Sequence, residues 1–511
     1  MKKQSLIKGT LILGIAGIIA KFLGVFFRWP LIMLIGDEGI GYYQMSYPLY
    51  TFFIAAASGV PMAVSKLVSE KNATGDKNGS LDVLKSAITF MTIIGGGFSA
   101  ILLIFSKQLV IFFGWDPKSY YSLMGISLAP IIISIMSCFR GFFQGMQNMI
   151  PTAVSQIIEQ IGRVLIGVGL AYILFPKGIE YSAGGAAFGA AAGGFLGGIY
   201  LIYKYLKVKK EFKFRIKEKD YNILTNLIKI AVPMSLGATV SSIMSVIDSL
   251  LVPRKLIEAG FSMEQATALF GQLTGKAFVL IGVPLTLSMS LCTSLVPIIA
   301  ESHFLGRSKE VKNKVDTAIR ISTVIAFPCM LGLCFLARPI LQLIFPGHAD
   351  GYTILQALSL SLPFIIITQA TTYMLQGAGE EIKPIINLGI ACIIKIIITY
   401  ILVPIPYINI YGSAISSLGA YLIAAVLNIK LLKKTFNYNI KYYDIMIKPA
   451  FASILMIITV VFIYMNVYNY TVSNAISCIV SILAGVILYS FLIIIFGTFK
   501  YSYIKEKLLK R

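Results

Sequence analysis

The chain has 511 residues, of which 57% are hydrophobic and only 13% charged, and its mean hydropathy is +0.82. A soluble chain of this length would carry about 25% charged residues, so the composition excludes an ordinary globular protein. The net charge of +22 would suggest nucleic acid as the partner of a soluble protein, but a positive-inside bias across a membrane explains it here. We therefore predict an all-α integral membrane protein that does not bind nucleic acid.

The apolar residues lie in runs of roughly 18 to 28, about the length that crosses a bilayer as a helix. The first run begins after Met1-Lys2-Lys3 and continues too far for a cleaved signal, so we interpret it as a retained helix. In chain order the apolar windows predict about 14 spans, arranged as six, six and a final pair. Their centres lie near Ile18, Ala55, Gly96, Ile131, Val164 and Ala191, then Ser241, Pro284, Pro328, Ile366, Ile394 and Tyr421, and finally Ile457 and Ile487.

Lysine and arginine fix the predicted orientation. The alternate loops that include both termini hold about 31 of these residues, and the opposite loops hold about 6. Both ends are therefore expected in the cytoplasm, in a bacterial inner membrane.

Short matches recur between the two sets of six spans. Gly59-Val60-Pro61 in span two matches Gly282-Val283-Pro284 in span eight, and Gln144-Gly145 matches Gln376-Gly377. Their collinear order indicates a duplication. We predict an N-terminal lobe at 1–206, a basic linker at 207–222, a second lobe at 223–434, and a final helix pair with a basic tail at 435–511. Transporters of this type bind substrate between their repeats and work by alternating access.

Ionisable side chains inside a span cost about 2.5 to 3.5 kcal/mol on insertion scales, so they usually face a cavity or a partner. Lys21 and Arg28 lie two helical turns apart on span one, and Glu159 and Arg163 are spaced to pair on span five. With Lys276 in the second half, these residues are the candidate substrate site, a cationic cavity suited to phosphate or pyrophosphate. The alternative is that they only stabilise the helix bundle.

Three further polar residues within spans are candidates for ion coupling or for counter-ions, namely Asp248, Asn387 and Lys395. The six cysteines form no CxxC pair and the two histidines are far apart, so no metal site is predicted. The Asp37-Glu38 pair lies between glycines, which favours a turn over a catalytic dyad. We therefore expect no enzyme activity and no cofactor, with Na⁺, H⁺ or the membrane potential as the energy source.

Several stretches resemble a known family. They are Lys-Gly-Thr at 8–10, Lys21 to Gly24 with Arg28, Gly59-Val60-Pro61 with Ser65 to Glu70, and Arg140 to Asn148 running into Pro151. Together they are similar to the SpoVB/YtgP branch of polysaccharide biosynthesis proteins. This branch belongs to the multidrug/oligosaccharidyl-lipid/polysaccharide (MOP) exporter superfamily, alongside the MurJ-like lipid II flippases.

The resemblance implies a two-lobe, MATE/MurJ-like transporter that moves an undecaprenyl-linked peptidoglycan precursor, for cell-wall or spore-cortex synthesis. It also implies a groove for the polyprenyl tail at the last two spans, and pyrophosphate binding by Lys21 and Arg28. MurJ-like proteins carry an arginine in span two after a proline, whereas the residues that follow Pro48 here are uncharged. We expect a monomer whose partners are the glycolipid substrate and membrane lipids.

Two alternatives stay open within the transporter class. One is a flippase for another polyprenyl-linked oligosaccharide, and the other is a multidrug or cation antiporter, whose cationic substrates a positive cavity would repel.

Overall fold

The computed structural model describes residues 6–209, 222–438 and 441–498. Those residues form helices and connecting turns, without strands. Most of the predicted basic linker at 207–222 and the basic tail at 499–511 lie outside these ranges. The chain divides into two compact units, Met1–Gly271 and Gln272–Arg511, called unit 1 and unit 2 below.

Unit 1 contains ten α-helices and two short 3₁₀ turns, at Pro117–Ser119 and Phe175–Lys177, within the residues described. The helices are α1 (Leu6–Ala57), α2 (Gly59–Ala73), α3 (Lys77–Ile104), α4 (Ser106–Phe113), α5 (Tyr120–Ile126), α6 (Ala129–Gly145), α7 (Ile150–Leu174), α8 (Ile179–Lys209), α9 (Asn222–Glu258) and α10 (Met263–Gly271).

Unit 2 begins with a π-helical turn, Gln272–Ala277, and has a second one at Tyr443–Ile447. Its described α-helices are α11 (Phe278–Phe304), α12 (Ser308–Phe335), α13 (Ala337–Ile344), α14 (Tyr352–Ser359), α15 (Leu362–Gly377), α16 (Ile382–Leu402), α17 (Tyr411–Phe436), α18 (Lys448–Thr471) and α19 (Asn474–Ile495).

Twelve helices in the described ranges are long and apolar enough to cross a membrane, or 13 if the bent pair α14–α15 is one span. This count is lower than the 14 spans predicted. One span of the difference is the bent pair, at the predicted span near Ile366. The other lies at the start of the chain, where a single range of 62 residues, Ile12–Ala73, covers both of the first two predicted spans.

Helix α1 is interrupted at Gly36. Its φ of 62° and ψ of −166° lie in a region that glycine reaches at little cost and other residues avoid. The interruption separates an initial segment that carries Arg28 from a following segment that carries a series of tyrosines. Pro30 and Pro48 also lie within α1, and each removes a helical hydrogen bond.

Helices α7 and α8 approach each other through small residues. A Cβ atom on Gly193 would lie 2.3 Å from the carbonyl oxygen of Glu159, and one on Gly189 would lie 2.7 Å from the Cα of Gly167. Only glycine fits such contacts, as is common where membrane helices pack. The glycine-rich face of α8 therefore holds the backbone of α7 at the two charged residues of predicted span five.

The last two helices pack on α12 in unit 2. Leu336, Met456 and Val460 form a buried apolar cluster with Tyr489, whose hydroxyl donates to the carbonyl oxygen of Val324 at 3.0 Å. The final helix pair predicted from the sequence is thus an integral part of this unit.

Candidate functional site

Glu159 on α7 lies at the centre of a buried ion network in unit 1. Its Oε2 accepts a hydrogen bond from Nη2 of Arg140, on α6, at 2.9 Å. Its Oε1 lies 3.7 Å from Nη2 of Arg163, one helical turn further along α7. All three side chains are at most 15% exposed. The Glu159–Arg163 pair predicted from the spacing is present, and Arg140 extends it to a second helix.

Three tyrosines on the second segment of α1 complete the surroundings of Arg163. Tyr43, Tyr47 and Tyr50 follow at intervals of four and three residues, so they share one helix face. Nη2 of Arg163 donates to the hydroxyl of Tyr50 at 2.9 Å, and Nη1 lies 3.5 Å from that of Tyr47. The guanidinium also lies 5.8 Å from the centre of the Tyr50 ring, within cation–π range.

Arg28 belongs to the same region. The first segment of α1 runs along α7, since the Cβ positions of Gly24 and Gly167 lie against Gln160 and Phe27 respectively. The buried phenol of Tyr43 is within electrostatic reach of both Arg28 and Arg163. Arg28 and Arg163 thus lie in the same electrostatic neighbourhood. The side chain of Lys21 lies outside the described residues.

The charges of this cluster do not cancel. Arg140 and Arg163 share a single carboxylate, Glu159, within the described part of the cluster. Nε of Arg163 is buried and donates no hydrogen bond to any described residue. Excess positive charge in an apolar medium is costly unless an anion can approach it. The arrangement can bind a phosphate or carboxylate group.

Sequence reasoning missed two parts of this cluster. Arg140 was part of a family motif but was not selected as a site residue, although it is an ionisable side chain at the end of an apolar run. The tyrosine spacing on predicted span two was also a usable signal, because aromatic hydroxyls three and four residues apart form one polar stripe within an apolar helix.

Lys276 occupies a different setting in unit 2. It lies on the π-helical turn Gln272–Ala277 and is 1% exposed. Its Nζ donates to the carbonyl oxygens of His348 and Asp350 at 2.8 and 3.2 Å. In this conformation the ammonium stabilises the turn that precedes α14. Its predicted role in substrate binding stays a prediction.

The three candidates for ion coupling lie on two helices, with Asp248 on α9 of unit 1 and both Asn387 and Lys395 on α16 of unit 2. Asp248 is buried on α9 of unit 1, beside Ser249, whose carbonyl accepts a hydrogen bond from the Trp115 indole at 2.6 Å. In unit 2, Nζ of Lys395 lies 5.9 Å from the Phe278 ring centre.

Asn387 donates from Nδ2 to Oδ1 of the buried Asn428 at 2.9 Å. The Nδ2 of Asn428 lies 3.1 Å from the hydroxyl of Thr372 and 3.3 Å from the carbonyl of Thr368. This polar cluster links α16, α17 and α15. A role in ion coupling stays a prediction for Asn387 as for Asp248 and Lys395.

In unit 1, acidic residues also lie outside the Glu159 network, between α1 and α5. Glu38 lies within α1 just after Gly36, where a turn was predicted, and its Oε1 is 3.6 Å from Nζ of Lys118. Asp116 caps the 3₁₀ turn by accepting from the backbone N–H of Lys118 at 2.9 Å, and burial raises the pKa of its carboxyl. Within the described residues, no group of three or more potential ligands could hold a metal ion.

Comparison with known proteins agrees with this architecture. The profile of the family described as "Polysaccharide biosynthesis protein" matches residues 6–303, and the MatE profile matches residues 274–401. Stage V sporulation protein B of Bacillus subtilis is 28% identical, with 98% of this chain and 97% of the relative covered. Lipid II flippase MurJ of the same organism is 26% identical over 87% of this chain and 85% of the relative.

Among solved structures, lipid II flippase MurJ in an inward closed conformation superimposes with a TM-score of 0.72. The match covers 98% of this chain and 100% of that one at 18% identity, so it bears on the fold. The MurJ relatives are named as flippases, which are transporters rather than enzymes. The chain belongs to the polysaccharide biosynthesis protein family and is a multi-pass membrane transporter.

Proposed function

We propose that the protein flips a lipid II-like precursor, a glycan joined to undecaprenyl pyrophosphate, across the bacterial cytoplasmic membrane by alternating access. Both termini lie in the cytoplasm in this proposal. The observation that carries it is the pair of arginines, Arg140 and Arg163, that share the single carboxylate of Glu159. A pyrophosphate supplies the negative charge that this cluster lacks, and arginine binds such groups with two parallel hydrogen bonds.

The residues of the proposed site differ in how they act on the pyrophosphate. Arg28 and Lys21 bind the pyrophosphate from the first segment of α1, while Arg163 binds it from α7. Glu159 orients Arg163 rather than touching the lipid. The interruption at Gly36 lets the first segment of α1 move relative to the tyrosine face, and this movement carries the bound phosphate between the two sides.

The similarity to lipid II flippase MurJ and to stage V sporulation protein B favours a peptidoglycan precursor over other polyprenyl-linked glycans. Asp248, Asn387 and Lys395 are proposed to respond to the coupling ion or to the membrane potential, and the protein is proposed to act as a monomer. The MatE match at 274–401 favours a cation antiporter as the second candidate. The excess of arginine over carboxylate opposes it, because the cluster would repel an organic cation.

The test is translocation of fluorescent lipid II in proteoliposomes by the wild type, Lys21→Gln, Arg28→Gln and Arg163→Gln. Lys177→Gln is the matched control, since Lys177 is exposed in the connection after α7. We expect each cluster variant to lose at least about tenfold in rate while Lys177→Gln stays at the wild-type rate. A tenfold change corresponds to about 1.4 kcal/mol, a modest value for one charged contact.

Two results would replace the proposal. If the wild type ignores lipid II but moves another undecaprenyl-linked glycan, the substrate assignment is wrong. If it moves neither and exports a cationic dye along an ion gradient, the antiporter is the correct reading.

A further inference from the structure

A groove with an apolar floor and a basic mouth lies in unit 2. Its volume is about 290 Å³. The walls come from α15, from α17 and from the segment that leads into α18. The lining residues are Phe364, Ile367, Leu422, Ala425, Val426, Ile429, Lys430, Lys433, Tyr442 and Met446.

One face of α17 forms the floor of this groove. Leu422, Val426 and Ile429 follow one another at intervals of three and four residues, which places them on a single stripe. The same stripe continues into Lys430 and Lys433 at its C-terminal end. The face therefore changes from apolar to cationic along its length, as a site for an amphipathic molecule must.

The length of the stripe fits one leaflet of a bilayer. Eleven residues separate Leu422 from Lys433, which is roughly 16 Å along a helix axis. The hydrocarbon core of a bilayer is about 30 Å thick, so the stripe spans about half of it. Leu422 and Val426 are 40% and 43% exposed, which leaves the floor open to the surrounding lipid.

The mouth is built to hold a negative group. Nζ of Lys433 lies 4.9 Å from the centre of the Tyr442 ring, and this cation–π contact holds the ammonium at the rim. Lys430 is exposed on the preceding turn. The described lining of the groove contains no acidic side chain, so neither charge is neutralised from within it.

Lysines at the end of a membrane helix also serve simpler purposes. They reach the interface and offset the negative end of the helix dipole. Lys434 lies on the same turn and is exposed outside the groove lining, so it can serve those purposes alone. Lys430 and Lys433 differ because they open onto an apolar groove of lipid dimensions.

We propose that this groove is a specific site for an anionic phospholipid of the leaflet at the lysine end of α17. The phosphodiester lies between the ammonium groups of Lys430 and Lys433, and one acyl chain lies along Val426 and Leu422 against Phe364. Basic pockets between membrane helices bind anionic headgroups in this way. The site is independent of the transported substrate.

Native mass spectrometry of the full-length protein tests the site. The protein is titrated with phosphatidylglycerol and, separately, with phosphatidylcholine of the same acyl chains. Lys430→Gln/Lys433→Gln removes two charges from the groove, and Lys434→Gln/Lys441→Gln removes two exposed charges nearby as the matched control. We expect the first double variant to bind phosphatidylglycerol about tenfold more weakly, whereas the control binds it as the wild type does.

Val426→Trp tests the acyl-chain part while leaving both lysines in place. We expect Val426→Trp to bind phosphatidylglycerol as weakly as Lys430→Gln/Lys433→Gln does. An unchanged thermal midpoint would show that Val426→Trp is folded. Equal binding of the two lipids by the wild type, or equal loss in both double variants, would overturn a specific site. The proposal is also wrong if Val426→Trp binds phosphatidylglycerol as the wild type does and water-soluble glycerophosphoglycerol displaces the lipid at equal concentration. The site would then bind a free phosphate ester and not a lipid.

Discussion

Both units bury positive charge among apolar helices, and they compensate it differently. In unit 1, Arg140 and Arg163 share the carboxylate of Glu159, and Arg163 also donates to the hydroxyl of Tyr50. In unit 2, Lys276 is held by the carbonyl oxygens of His348 and Asp350. The first arrangement joins three helices through side chains, whereas the second fixes a single turn through its backbone.

This difference separates two uses of a buried cation. Backbone carbonyls are permanent acceptors, so a lysine bound to them has a fixed structural task in this conformation. Side-chain partners on α1, α6 and α7 allow the arginines to exchange contacts when a helix moves. The network of unit 1 also has one carboxylate for its arginines, which leaves room for an external anion.

The largest expected effect comes from Glu159→Gln. Removing this charge leaves two buried arginines uncompensated, and breaking such a pair typically costs about 3 to 5 kcal/mol. We expect a fall of several degrees in the thermal midpoint of the protein in nanodiscs. Glu70→Gln, at an exposed carboxylate of α2, is the matched control. A midpoint equal to that of the control would show that Glu159 does not neutralise the arginines.

Lys276→Met should have the next largest effect. It retains the aliphatic stem but leaves two carbonyl oxygens without their donor, and an unsatisfied buried group costs about 1 to 3 kcal/mol. We expect a lower thermal midpoint for Lys276→Met. The protein that stays folded, with the turn before α14 in place, should translocate lipid at the wild-type rate. Lys309→Met, exposed on α12, controls for loss of charge. Loss of transport without loss of stability would instead place Lys276 at the substrate.

The sequence was sufficient for the helical class, the final helix pair and the Glu159–Arg163 contact. Hydropathy and the four-residue spacing are local properties, and the fold preserves them. The extension to Arg140 was not predictable in the same way, because it depends on how close α6 and α7 come. That distance is set by the packing of glycines such as Gly193 rather than by a pattern around Arg140.

Lys276 shows a second limit of sequence reasoning. A lysine within an apolar run indicates that a partner exists, but the partner was a turn some seventy residues away rather than a cavity. The break at Gly36 differs, because it lies at the turn that the glycines beside Asp37 and Glu38 predicted. Backbone partners leave little trace in composition or periodicity.

Tyr50→Phe sharpens the comparison on the side of unit 1. It removes only the hydroxyl that receives Nη2 of Arg163 at 2.9 Å, which we expect to cost about 1 kcal/mol. Tyr47→Phe, at 3.5 Å from Nη1, should cost less, and the exposed Tyr172→Phe should cost nothing measurable. Thermal midpoints of the three variants give the ranking. A larger loss at Tyr47 than at Tyr50 would contradict the described geometry of Arg163.

The smallest effect concerns Asp116, a buried carboxyl of unit 1 that caps backbone instead of meeting arginines. Burial raises its pKa above the ordinary value of 3.8, so the folded protein binds this proton more tightly than the unfolded chain does. The contribution of Asp116 to the free energy of unfolding therefore decreases as pH rises from 3.8 through the folded-state pKa. Asp116→Asn keeps an oxygen for the N–H of Lys118 and removes the titration. We expect a flatter dependence of the thermal midpoint on pH in that range, with Glu70→Gln retaining the wild-type slope. If the thermal midpoint of Asp116→Asn has the same slope against pH as the wild type, the capping hydrogen bond stabilises the ionised carboxyl enough to offset its burial. Asp116 would then be a stabilised carboxylate, as Glu159 is.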